Sequence, residues 1–119
     1  IAKFYRKNLK DLPIFFQEKG NYKFKNAHHL FTIVLDNKRT NKKRDLLLRY
    51  LTDNGIGVGV NYRSVTEMSS YKRLFMWNDL TCRNASYIGK NILSLPIYAG
   101  LKKEDQNYIV RNLRNFFKE

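Results

Sequence analysis

The sequence predicts an α+β domain: a small sheet of about three strands with helices packed over one face. Short β-branched runs alternate along the chain with stripes of helical period. Their order is helix, strand, helix, strand, two short helices, strand, helix, which gives each strand a helical neighbour but no second sheet. A length of 119 residues with 43% hydrophobic content supports one modest core.

Ala2, Tyr5, Leu9 and Leu12 recur at three- and four-residue spacing, so Ile1 to Leu12 reads as the tail of a helix closed by Pro13. A polar connector, Gln17 to Ala27, follows, with Gly20-Asn21 as its turn signal. His28 to Leu35 reads as a strand. Its apolar residues fall at both parities, so both faces are expected to be largely covered. Lys42 to Asp53 reads as a helix with Leu47, Tyr50 and Leu51 on one side. Gly55 is placed to take its left-handed C-cap, and Ile56 to fold back on the last turn. Val58 to Tyr62 reads as a second strand, delivering Asn61, Tyr62 and Arg63 together at its far end. A short helical or irregular piece is expected over Met68 to Phe75 and a short helix over Cys82 to Lys90, then a strand over Ile92 to Leu95, stopped by Pro96. Lys103 to Lys118 is the closing helix. Ile109, Leu113, Phe116 and Phe117 form its apolar stripe, and Glu104 and Asp105 complement its positive N-terminus.

Composition narrows the function. The net charge is +13, which suits an anionic partner: nucleic acid, a membrane headgroup or a phosphate-bearing small molecule. The basic residues are scattered, however, and the densest run, Lys38 to Arg44, reads as a solvated turn and helix start. No apolar run approaches the roughly 20 residues of a membrane-spanning helix. Cys82 is the only cysteine, which excludes an internal disulfide and fits a reducing, cytoplasmic setting. The first residue is Ile1 rather than Met, and the chain is expected to be a piece of a longer protein.

No catalytic set emerges. Gly55, Gly57 and Gly59 are spaced G-x-G-x-G and lead into a strand, unlike a dinucleotide fingerprint, which opens a helix. His28 and His29 are neighbours on a strand and point to opposite faces, so they cannot share a metal; one of them reads as a core or interface residue. Cys82 reads as a half-buried structural thiol, and the Asn84-Ala85-Ser86 sequon as chance. Among the rings, Phe31, Tyr50, Phe116 and Phe117 sit at core spacing. The best candidates for a binding site are Asn61, Tyr62 and Arg63. Three polar side chains at one strand end can line a cleft, and the planar fork of Arg63 suits a phosphate or carboxylate. By strand alternation Asn61 and Arg63 face one way and Tyr62 the other.

Four stretches together resemble the C-terminal small domain of the DegT–DnrJ–StrS family of pyridoxal-phosphate aminotransferases. They are Ile1-Ala2-x-x-Tyr5-x-x-x-Leu9; His29-Leu30-Phe31-Thr32-Ile33; Arg44-Asp45-x-Leu47-x-x-x-Leu51-x-x-x-Gly55-Ile56; and Leu93-Ser94-Leu95-Pro96-Ile97 followed by Asp105 and Val110. The resemblance covers nearly the whole chain in the right order. It departs at one place. Many members carry a His-Tyr pair, then a proline and a second histidine, where this chain has Asn61-Tyr62-Arg63-Ser64-Val65-Thr66, and only the tyrosine is kept.

The resemblance implies the small domain of a fold-type I aminotransferase spanning residues 1–119, with 1–12 the tail of the connecting helix and the large cofactor-binding domain outside this chain. It implies that the full-length enzyme uses pyridoxal phosphate, held by a lysine of the large domain, to move an amino group from glutamate to a keto nucleotide sugar in polysaccharide or antibiotic sugar biosynthesis. It also implies a homodimer. Asn61, Tyr62 and Arg63 would contact the substrate, and this chain alone would bind no cofactor and catalyse nothing. The alternative from charge alone is a free-standing basic α+β module that binds nucleic acid, with a steep dependence on salt.

Overall fold

The computed structural model describes residues 1–18, 21 and 23–118. In chain order the elements are α1 (Ala2–Leu9), β1 (Ile14–Phe16), β2 (Phe31–Leu35), α2 (Arg44–Asp53), a 3₁₀ turn (Val65–Glu67), α3 (Ser69–Phe75), α4 (Arg83–Asn91), β3 (Ile92–Leu95) and α5 (Lys103–Lys118). The sheet is antiparallel throughout, in the order β1-β2-β3. This is the expected α+β layer, built from a different set of three strands.

The segment 58–62 is not a strand. Only Gly59 pairs, in a single bridge to the outer edge of β3, where Gly59 and Ser94 exchange N–H···O bonds of 3.3 and 2.7 Å. Glycines at 57 and 59 leave one side of the segment without side chains to pack, which weakens a strand. The third strand is β1, too short after Pro13 to show a period. It is held by its register with β2, Ile14 opposite Leu35 and Phe16 opposite Ile33. Three boundaries also move inward. α1 ends at Leu9, β2 begins at Phe31 and α2 begins at Arg44. The Gly20 half of the expected turn lies outside the described residues.

One face of the sheet carries the core. Phe31, Ile33, Leu35, Leu93 and Leu95 project from β2 and β3 against Tyr5 and Leu9 of α1, Leu47 and Leu51 of α2, and Ile109, Leu113 and Phe116 of α5. Phe117 and Tyr50 pack at the margin, half-buried. Tyr5 is fully buried and its hydroxyl donates to the carbonyl of Pro96 at 2.9 Å. Burial, with the nearby Tyr98, pushes its pKa upward. The end of α2 has the expected form. Gly55 sits at φ +71, its N–H bonds to Thr52 O, and the N–H of Ile56 bonds to Leu51 O, both at 2.9 Å.

The opposite face is open, contrary to the expectation for β2. Its residues alternate between buried and half-buried, with Thr32 and Val34 only half-covered. Apolar residues at both parities had suggested two covered faces, but on this side the cover reaches only β3, where Ile92 and Ser94 are buried.

Candidate functional site

The open face forms the floor of a groove of about 790 Å³. Phe15, Thr32, Val34 and Ile92 lie along it, with Tyr87 and Ile88 of α4 on its wall. The pairing of Thr32 with Ser94 sets Ser94 on the same side. The Ser94 hydroxyl is buried and has no hydrogen-bond partner. The half-covered Thr32 and Val34 leave this face room for an additional layer. Tyr87 is fixed at the wall, its hydroxyl donating to Leu35 O at 2.9 Å and accepting from the N–H of Asn37 at 3.2 Å.

Asn61 and Tyr62 both line this groove. The chain reaches them from the Gly59–Ser94 bridge, and Tyr62 stands 72% exposed. Arg63 does not join them. It lines a second, polar cavity of about 590 Å³ between the start of α2 and the length of α4, from Arg83 to Asn91. Alternation along a strand had paired Asn61 with Arg63 and set Tyr62 apart. The segment is no strand at this point, so that rule does not govern it.

The polar cavity is rigidly built. Arg44 is buried, which its place in a basic run did not predict. Its guanidinium pairs with Asp45 and donates through Nη1 to Ile92 O at 3.1 Å and Gly89 O at 3.5 Å. Just after Arg63, a chain of hydroxyls ties the 3₁₀ turn to α4: Ser64 Oγ lies 2.7 Å from Thr66 Oγ1, which lies 2.8 Å from Ser86 Oγ. Gly89 makes the close approach possible, since a Cβ there would stand 2.5 Å from the backbone nitrogen of Ser64. Asp79 pairs with Lys90, and that hydrogen bond, with a second from Ser86, holds its carboxyl below the usual range.

The remaining candidates separate. His28 and His29 are both exposed, so neither is a core residue, and His29 lines the groove. β2 starts only at Phe31, which leaves both outside the sheet. Cys82 is half-buried, as expected. Among the described residues no group of three or more His, Cys, Asp or Glu could hold a metal ion. Among the described residues no helix is long and apolar enough to cross a membrane. The described segment from Val65 to Leu80 shows its apolar residues to solvent: Leu74, Met76 and Leu80 are each about 70–75% exposed, and Tyr71 and Phe75 each stack on Trp77.

A pyridoxal phosphate site needs a lysine within the cleft and donors for the cofactor's phosphate. Among the described residues the groove lining contains no lysine or arginine, and its ionisable groups are Glu18, His29 and the two tyrosine hydroxyls. Every described lysine except the half-buried Lys42 is exposed. The groove therefore offers neither a Schiff-base lysine nor cationic phosphate donors among its described residues.

A model of the DegT/DnrJ/EryC1/StrS aminotransferase family matches residues 1–114. Among solved structures, a sugar aminotransferase from Streptococcus pneumoniae, Spr1654, known in PLP, PMP and apo forms, superposes with a TM-score of 0.83 at 18% identity. PseC of Helicobacter pylori, an aminotransferase involved in pseudoaminic acid biosynthesis, gives 0.77 at 27% identity. The E. coli GDP-4-keto-6-deoxy-D-mannose-3-dehydratase, with bound hydrated PLP, gives 0.70 at 19%. These matches cover 98%, 98% and 94% of this chain but only 29%, 31% and 28% of the other proteins.

Proposed function

Because the chain belongs to the DegT/DnrJ/EryC1/StrS aminotransferase family, we propose that it is the C-terminal small domain of a pyridoxal-phosphate-dependent aminotransferase. The whole enzyme transfers an amino group from glutamate to a keto nucleotide sugar, in polysaccharide or antibiotic sugar biosynthesis, and works as a cytoplasmic homodimer. The observation that carries this reading is the open apolar groove with Asn61 and Tyr62 at its side. The chain spans about 30% of the length of the structures it matches, and the large domain supplies the layer that the groove lacks.

In this arrangement the small domain binds and orients. The apolar floor of Phe15, Val34 and Ile92 seats the large domain and keeps water from the cleft between them. The Asn61 amide and the Tyr62 hydroxyl, on the wall of that cleft, offer hydrogen-bond donors and acceptors to a sugar nucleotide. Pyridoxal phosphate, bound by the large domain, supplies the electron sink for amino transfer. Transamination is favoured over the dehydration carried out by one structural neighbour because the matching family is that of aminotransferases. A free-standing nucleic-acid module is disfavoured by the apolar character of the larger groove.

The test is kinetic, on the intact enzyme with glutamate and a panel of keto nucleotide sugars. Formation of 2-oxoglutarate and an aminated sugar is expected. Asn61→Ala and Tyr62→Ala should each lower kcat/KM for the sugar at least tenfold with melting unchanged, which corresponds to about 1.4 kcal/mol of lost transition-state stabilisation. Absence of transamination across the panel refutes the function. Unchanged kcat/KM in both variants refutes the site.

A further inference from the structure

We propose that the polar cavity between the N-terminus of α2 and the length of α4 is a binding site for a phosphoryl anion, either free phosphate or the diphosphate of a nucleotide. The cavity is separate from the apolar groove, although Tyr87 of α4 borders both.

Charge carries the inference. Five cations line the cavity. Two are neutralised within it, Arg44 by Asp45 and Lys90 by Asp79. Lys43, Arg63 and Arg83 make no ion pair among the described residues, and Glu67 is the one wall carboxylate without such a partner. Three unpaired cations held around 590 Å³ of polar space repel one another, and a bound anion removes that repulsion. Arg44 adds a preorganised donor. It is nine-tenths buried and fixed through Nε and Nη1, while its Nη2 makes no hydrogen bond among the described residues.

The helix ends point the same way. Lys43 is the N-cap residue of α2 and Arg83 is the first residue of α4, and neither helix has a side-chain cap. A helix N-terminus carries roughly half a positive charge with free N–H donors, so a cation there has the unfavourable sign. α5 shows the ordinary arrangement, with Glu104 and Asp105 in its first turn. α2 carries Asp45 in its first turn, paired with Arg44, whereas α4 has no acid there. A phosphoryl group in the cavity would offset the charge of the unpaired cations that line it.

The site is tested on the intact, cofactor-loaded protein by calorimetric titration with pyrophosphate at low salt. Saturable binding is expected, weakening as salt is raised. Arg63→Gln with Arg83→Gln should weaken it at least tenfold, while Lys3→Gln with Lys7→Gln on α1, outside the cavity, should bind as the wild type does. Both arginines are exposed and unpaired, so the double variant should fold; melting without ligand checks this, and Lys43→Gln alone serves as the second variant. No saturable binding, or equal losses in the two double variants, overturns the proposal. A nucleotide sugar that displaces pyrophosphate identifies the source as the substrate's diphosphate, whereas simultaneous binding identifies free phosphate. Binding is read without turnover, so pyrophosphate binding in an enzyme that does not transaminate would sink the proposed function and leave this site standing.

Discussion

Replacing Gly89 by alanine tests how the wall between groove and cavity is held. In an ordinary helix interior the change stabilises, by about 0.5–1 kcal/mol. Here the added Cβ would lie 2.5 Å from Ser64 N and 2.8 Å from Ser64 Cβ. The nearest atom is backbone and cannot swing aside. Ser64 is also tethered through Thr66 to Ser86 on the same helix, so withdrawing it strains hydrogen bonds worth about 0.5–1.5 kcal/mol each. Overpacking of this kind costs about 1–3 kcal/mol, which exceeds the propensity gain. The expected result is a net loss of about 1–2 kcal/mol in urea denaturation of the intact protein, from the difference of those two terms. Gly57→Ala is the control: no atom lies within 4 Å of its added Cβ and its φ is not positive, so it should be neutral or stabilise by up to about 1 kcal/mol. A Gly89→Ala protein as stable as the wild type would refute the close-packed wall.

Leu113→Ala should cost about 2–5 kcal/mol, because the side chain is fully buried between α5 and the sheet; a loss below about 0.5 kcal/mol in melting or denaturation would place the stripe in solvent. Acid should erode stability through Asp11 and Asp79, whose carboxyls are held below their ordinary 3.8 by hydrogen bonds from Arg114 and Lys90 respectively. A carboxyl depressed in the folded state stabilises above its unfolded pKa, and the contribution is lost as pH falls through the folded value. The acid limb of Tm against pH should therefore be shallower in Asp11→Asn with Asp79→Asn than in the wild type, and superimposable limbs would contradict this.

Legibility followed range. α5 was readable to its ends because a 16-residue apolar stripe with acids in its first turn is a purely local signal, and the Gly55 cap likewise depends on neighbours in sequence. Strands depend on distant partners. Ile14-Phe15-Phe16 is a strand only because β2 lies beside it, whereas the β-branched run from Val58 looks like one and pairs once. The same limit separated the site residues. Asn61, Tyr62 and Arg63 are consecutive, but the turn that buries Ser64 against Gly89 sends Arg63 to another cavity. The burial of Arg44 depends on carbonyls at the end of α4, more than forty positions on, and nothing near it in sequence foretells them.

The two cavities assign different tasks to one helix. Tyr87 borders both, Ile88 lines the groove, and Ser86 and Lys90 line the polar side. α4 is pinned at three places: through the Tyr87 hydroxyl to β2, through Ser86 to the 3₁₀ turn, and through Gly89 against Ser64. A helix so fixed cannot shift toward one cavity without disturbing the other. The Gly89 contact therefore couples them. Displacing Ser64 moves Arg63 at the polar cavity and, through the chain, Tyr62 at the groove. A fault in this wall would alter anion binding and groove geometry together, whereas changes at Asn61 or Arg83, which each line a single cavity, would alter only one.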